Sequence, residues 1–231
     1  MKKLDSITAL KLLYKDVIFN GDDLKKEENR WVKHCLFVGI AAGRIAEKLG
    51  LDSDYAISLG YIHDIGRKIS HSNHAIEGFK YMIENGYIEE ARSCLTHSFI
   101  DNNIYYTAGG LPEGNEKFNF FSAFLQSSDL TMYDNIVQMC DLFCLETGFT
   151  TIERRLLDIT ERKGVFDNSH LHLEKTFELK RRLESKIDCS LYSLFPEIDE
   201  YVLAKIDDDH KKLVNLISGN LIGSNKKLLK K

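Results

Sequence analysis

The sequence predicts an all-α fold: a helical bundle with additional C-terminal helices. Apolar residues recur at helical spacing through most of the chain. Only two prolines, Pro112 and Pro196, occur in 231 residues, and alternating apolar runs are few. With 43% apolar and 29% charged residues, the chain can bury one core of moderate size. Neither a repeat nor a low-complexity linker divides it, so a single domain over residues 1–231 is expected.

The elements follow from period and punctuation. From Cys35 to Leu49 the apolar positions Leu36, Phe37, Ile40, Ala41 and Ile45 keep helical period, and Gly50 stops them. Asp52 or Ser53 can cap a second helix through Tyr55, Leu59 and Ile62 into His63-Asp64. A third runs from about Asn73 to Gly86, and a fourth from Ile88 to near His97. Residues 101–116, with Asp101-Asn102-Asn103, Gly109-Gly110 and Pro112-Glu113-Gly114-Asn115, read as a surface loop. Helical signal resumes near Phe118 and again from about Tyr133. Thr150-Thr151-Ile152-Glu153 is a capping-box pattern opening a helix that Gly164 closes. Asn168 to Ile187 reads as a long amphipathic helix through Leu173, Phe177, Leu183 and Ile187. One or two further helices are expected between Glu197 and Ile217.

Composition also excludes. A net charge of −4 and a pI near 6.1 argue against a broad surface for nucleic-acid polymers. The cysteines Cys35, Cys94, Cys140, Cys144 and Cys189 are odd in number and scattered. They read as reduced thiols of a cytoplasmic protein. Cys140 and Cys144, at i and i+4, read as core packing and not as a zinc pair. Met1-Lys2-Lys3 is not followed by an apolar stretch of signal-peptide type, and no run is long enough to span a membrane. The basic end, Lys226 to Lys231, reads as a solvated tail.

The chemistry gathers at Tyr61-Ile62-His63-Asp64-Ile65-Gly66-Arg67. Imidazole and carboxylate together can hold a divalent metal without sulfur. Five of the eight histidines, His34, His63, His71, His74 and His97, fall near predicted helix ends, where they could converge at one end of a bundle. Spacing alone leaves each of them open to a bland reading as a satisfied core residue. Asp141, inside an apolar helix, is a costly place for a carboxylate without a partner or metal.

In order and context these residues resemble the HD-domain metal-dependent phosphohydrolases. His34 opens a helix in Trp31-Val32-Lys33-His34-Cys35. The doublet lies in His63-Asp64-Ile65-Gly66-Arg67, and Asp141 stands late in Met139-Cys140-Asp141-Leu142. The likeness covers about residues 30–145, leaving about 146–220 as a C-terminal helical extension. His74-Ala75-Ile76-Glu77-Gly78 and Leu95-Thr96-His97-Ser98 are similar to segments of binuclear members. The resemblance implies that His34, His63, Asp64 and Asp141 hold one divalent ion. Asp64 would bridge to a second held by His74 and His97. Fe, Mn, Mg, Ni and Zn are not distinguished. It implies catalytic roles for Asp64 and Arg67 and substrate-phosphate binding by Arg67 and Lys68. Arg67 stands where lysine is commoner, and Ser98 replaces the second histidine of the cyclic-dinucleotide branch, which argues against cyclic di-GMP. Single histidines are closer to the bacterial dinucleoside-tetraphosphatase branch, although the loop after His97 departs from it.

Several assignments have rivals. His71 competes with His74, which is favoured by Gly78 and the apolar face after it. Asp129 competes with Asp141. Asp134 reads as a cap or a solvated residue. His170 and His172 read as exposed. Arg154-Arg155 and Arg181-Arg182 read as solvated helix faces, although one could reach a phosphate. Asp207-Asp208-Asp209 reads as a surface turn. The expected function is metal-dependent hydrolysis of a nucleotide or another small phosphorylated metabolite by a metal-activated water. A di-iron oxygenase and a non-catalytic, metal-containing ligand sensor are the alternatives.

Overall fold

The computed structural model describes residues 3–15 and 29–198. The all-α expectation holds. In chain order the helices are α1 (Ser6–Tyr14), α2 (Arg30–Lys48), α3 (Ser53–Ile62), α4 (His74–Glu84), α5 (Ile88–Thr96), α6 (Glu116–Ser127), α7 (Met132–Asp141), α8 (Ile152–Lys163) and α9 (Ser169–Ile187). Short 3-10 turns lie at Ile65–Lys68, Ile100–Asn102 and Leu191–Leu194. A two-stranded antiparallel hairpin, β1 (Cys144–Leu145) and β2 (Gly148–Phe149), was not expected. Its strands are too short to show a period in the sequence.

Helix α2 is the spine. Its small residues let α3 approach closely: a Cβ on Gly60 would lie 2.5 Å from the Gly39 Cα. Its apolar face packs with α7, the hairpin, α8 and α9 in one core that includes Ala42, Ile45, Met139, Phe143, Phe149 and Leu183. A second core joins α1, α3, α4 and α5 through Leu4, Leu59, Ile62, Met82 and Ala91. Asp52 caps α3 by accepting from the Tyr55 N–H, and Asn115 does the same for α6 at Phe118.

Some local expectations are corrected. Helix α8 starts one residue later than the capping-box pattern implies. Its cap is Thr151, which accepts from the Arg154 N–H, so Glu153 falls out of register and instead accepts from the Tyr192 hydroxyl. A true capping box occurs at α7, between Thr131 and Asp134. Asp134 is thus not the cap itself but its partner, accepting from the Thr131 N–H, and it is buried and also pairs with Arg92. On α9 the buried positions are His172, Thr176, Leu179, Leu183 and Ile187, while Leu173 is 47% exposed. Leu183 and Ile187 are buried as expected, whereas in the first half of the helix the stripe runs one residue earlier, through His172 and Thr176, with Phe177 half-buried beside it. Burying Leu179, Leu183 and Ile187 stabilises by about 1.5–3 kcal/mol each. Cys140 and Cys144 are both core residues, but Cys144 belongs to the hairpin and not to the helix. Cys189 is only half-buried. The helices expected between Glu197 and Ile217, the Asp207-Asp208-Asp209 turn and the basic tail lie outside the described residues beyond Ile198. No helix among the described residues is long and apolar enough to cross a membrane.

The tightest contact lies beside the His63-Asp64 doublet. A Cβ on Gly66 would lie 2.0 Å from the His74 carbonyl oxygen and 2.3 Å from the Gly78 nitrogen. Backbone meets backbone there, so neither partner can yield by turning a side chain. Gly66→Ala is therefore expected to cost about 1–3 kcal/mol by forcing α4 away. The urea midpoint reads this, and an unchanged midpoint would refute the contact.

Candidate metal centre

Four imidazoles and two carboxylates converge between α2, α3, α4, α5 and α7. His34 lies on the second turn of α2, and His63 and His97 are the C-terminal caps of α3 and α5. His74 opens α4, and Asp141 ends α7. Asp64 follows the end of α3 directly and is buried with His63 and His97.

The hydrogen bonds of the rings fix how they face. Each Nδ1–H donates to a backbone carbonyl: His34 to Cys144 at 3.2 Å, His63 to Gly60 at 2.7 Å, His74 to His71 at 2.9 Å and His97 to Cys94 at 2.9 Å. A carbonyl only accepts, so the proton of each neutral ring sits on Nδ1. Every Nε2 then presents a lone pair. These nitrogens meet other acceptors. His34 Nε2 lies 2.9 Å from Asp141 Oδ1 and 3.3 Å from His63 Nε2. His74 Nε2 and His97 Nε2 lie 3.1 and 3.5 Å from Asp64 Oδ1, a buried oxygen without a hydrogen-bond partner among the described residues. Two groups result: His34, His63 and Asp141; and Asp64, His74 and His97.

Acceptors crowded together without protons repel unless a cation lies among them. Metal–ligand bonds of about 2.1 Å place neighbouring donor atoms roughly 3.0–3.4 Å apart, close to the spacings found. Anchoring of the outer ring nitrogen on a carbonyl is also how metal-binding histidines are held. The residues therefore fit a divalent metal in either group.

Electrostatics agree. Burial holds His63, His74 and His97 below the ordinary imidazole value, in the neutral form a metal requires. Burial pushes the Asp64 carboxyl up, but the surrounding imidazoles and the Arg67 guanidinium pull it down further. Arg67 Nε donates directly to Asp64 Oδ2. Asp141 is likewise held down against burial by the His34 imidazole beside it.

The rivals separate cleanly. His71 is exposed and offers only its carbonyl, to the His74 ring. Asp129 is exposed, and its carbonyl accepts from Arg92. Lys68 is not brought to the cluster. Its Nζ donates to the carbonyls of Leu12 and Lys15 at the end of α1. The 3-10 turn at Ile65–Lys68 rotates Arg67 toward Asp64 and Lys68 toward α1, which is why adjacent cations part.

A pocket beside the cluster adds residues that the sequence reading set aside. Besides Arg67, His74, His97 and Asp141, it is lined by Gln138, Arg155, Arg162, Lys163 and His172. Arg155 is not a solvated face: its side chain is 15% exposed and its guanidinium lies 3.7 Å from Asp141. His172 is buried, not exposed, whereas His170 is exposed as expected. The loop expected after α5 forms part of the wall through Thr107 and Ala108. Asn168 donates to its carbonyls at Tyr105 and Thr107, Lys163 to Ala108, and His172 to Tyr106. The spacing of His172 with Thr176, Leu179 and Leu183 was the one signal in the sequence that could have placed its ring inward.

Residues 31–142 match the family model of the HD domain. That segment of the chain is an HD domain. No curated protein and no solved structure matched it. HD domains bind divalent metals, and the six residues described lie within or at the edge of the matched segment. Arg155, Arg162, Lys163 and His172 lie beyond it, on α8 and α9.

The pH response follows from these environments. The unfolded chain takes up protons near pH 6.5 that the buried imidazoles refuse. Stability of the metal-free protein is therefore full above about pH 6.5 and falls as pH drops through that value. The carboxylate contribution is present above about pH 4 and is lost only below it, because Asp64 and Asp141 sit below their ordinary value of 3.8. Urea midpoints from about pH 8 to 5 measure the first loss, and a flat profile would contradict it.

Proposed function

We propose that this protein is a metal-dependent phosphohydrolase acting on a nucleotide or another small phosphorylated metabolite. The observation that carries the reading is the cationic wall facing the histidine–carboxylate cluster across one pocket: Arg67, Arg155, Arg162 and Lys163. His34, His63 and Asp141 would hold one divalent ion, and Asp64, His74 and His97 a second. A metal bound there supplies an activated water at neutral pH and polarises the phosphoryl oxygen.

The chain's own residues do the rest. Arg67 is aligned by Asp64 and keeps its remaining N–H groups for a phosphate oxygen. Arg155 is the stronger phosphate ligand, because it is mostly buried and its Nε has no hydrogen-bond partner among the described residues. The four cations Arg67, Arg155, Arg162 and Lys163 outnumber the three carboxylates beside them, Asp64, Asp141 and Asp158, so the wall retains positive charge. That excess over the nearby carboxylates supports an anionic substrate. The same ligand set would serve a di-iron oxygenase, but a cationic wall favours phosphate.

The test is hydrolysis by the metal-loaded protein across nucleotides and generic phosphate esters; no turnover of any of them sinks the reading. Arg155→Ala should lower kcat/KM roughly 10- to 100-fold, as loss of a charged hydrogen bond of about 1.5–3 kcal/mol would. His74→Ala should bind about one metal equivalent fewer than the parent by elemental analysis; unchanged content would remove His74 from the site.

A further inference from the structure

Two buried acceptors in the same pocket have no donor among the described residues. Gln138 is 1% exposed. Its amide nitrogen donates to the carbonyls of Thr96 at 3.1 Å and Phe99 at 2.9 Å. A turned amide would set its oxygen against these two carbonyl oxygens, acceptor facing acceptor, so Oε1 is the atom left over. Oε1 is buried without a hydrogen-bond partner among the described residues. His172 is 5% exposed, and its Nδ1–H donates to the Tyr106 carbonyl at 3.1 Å. That bond puts the lone pair on Nε2, which is likewise buried and unpartnered. A buried acceptor without a donor costs about 1–3 kcal/mol, so two that line one pocket call for an explanation.

The pocket opens into a second compartment that shares His74, Ser98, Thr107, Ala108 and Lys163. Its other walls are apolar at Ile76, Phe99, Leu111 and Phe121. Phosphate contacts explain the arginines but not these acceptors, since an ionised phosphate has no proton to offer. The structure assigns Gln138 Oε1 and His172 Nε2 as acceptors for hydroxyl groups of the substrate's organic half. The substrate class is a hydroxyl-bearing phosphate ester, such as a nucleotide with its sugar hydroxyls or a polyol phosphate. The adjoining compartment receives the remainder of the molecule. This assignment rests on the phosphohydrolase reading. It deepens that reading from a phosphate to the group attached to it. Helices α7 and α9 thus do different work from α8: they read the alcohol, while α8 binds the anion.

The test compares matched esters on the metal-loaded full-length chain. Adenosine 5′-monophosphate is paired with its 2′-deoxy and 3′-deoxy forms, and glycerol 1-phosphate with propyl phosphate. The parent protein is expected to prefer the hydroxylated member of at least one pair by roughly tenfold or more in kcat/KM, because a buried acceptor rejects an analogue that leaves it unpaired. The pair that shows the preference distinguishes sugar from polyol. His172→Phe and Gln138→Leu should collapse that ratio toward unity, whereas His172→Gln, which keeps an acceptor, should retain part of it. If a variant does not fold, the parent's ratios decide by themselves. Hydrolysis with equal kcat/KM across every pair overturns the assignment, leaves the phosphohydrolase reading intact and makes resident water the partner of these atoms. A preference that survives both apolar substitutions also overturns it. Absence of hydrolysis of every ester overturns the phosphohydrolase reading and this assignment with it.

Discussion

The centre depends on one close approach, the backbone of Gly66 against the first turn of α4. Contact between Gly66 and the His74–Gly78 segment places α4 over the turn that follows Asp64. His74 then stands 3.1 Å from the Asp64 carboxylate. Any side chain at residue 66 would separate the two elements. The glycine after His63-Asp64-Ile65 is therefore not a flexible joint but a spacing device. It sets the distance at which one carboxylate can serve ligands from two helices. Gly78 completes the fit from the other side, where a Cβ would press on Cys94.

The second organising fact is electrostatic. Carbonyls at Gly60, His71, Cys94 and Cys144 claim the Nδ1 protons, which turns four lone pairs toward two carboxylates. The fold thereby concentrates acceptors where no proton is shared, an arrangement that favours a cation. Across the pocket α8 does the opposite and gathers arginines. A site with a metal-seeking floor and an anion-seeking wall suits a ligand that is itself an anion. Gln138 and His172 add a third kind of group, uncharged acceptors, which neither floor nor wall requires.

Much of the fold was legible. Gly50, Gly86 and Gly164 stop helices, and Asp52 caps α3, because backbone conformation and unsatisfied N–H groups are local matters. Spacing alone left each histidine open, and the six residues that the family resemblance implies are ones the fold brings together. Errors arose where local patterns are degenerate. Thr150 and Thr151 both suit a cap, and only the packing of α8 selected Thr151. Leu173 and His172 are neighbours on α9, and its docking angle chose the histidine for the interior. Arg155 resembled any surface arginine until α8 lay against the end of α7. Arg67 and Lys68, adjacent cations, were separated by a 3-10 turn that leaves no mark in the sequence.

The sequence by itself determined the all-α class and most of the helix ends. These are set by near neighbours and by side-chain chemistry, both present in the string of letters. Only the tertiary structure decided which groups share the pocket. It chose His74 over His71, removed Lys68, and brought Gln138, Arg155 and His172 to the centre. The physical reason is that a helix's rotation about its axis is fixed by the surface it packs on. A turn of one residue moves a side chain by roughly 100° and decides whether it meets the pocket or the solvent.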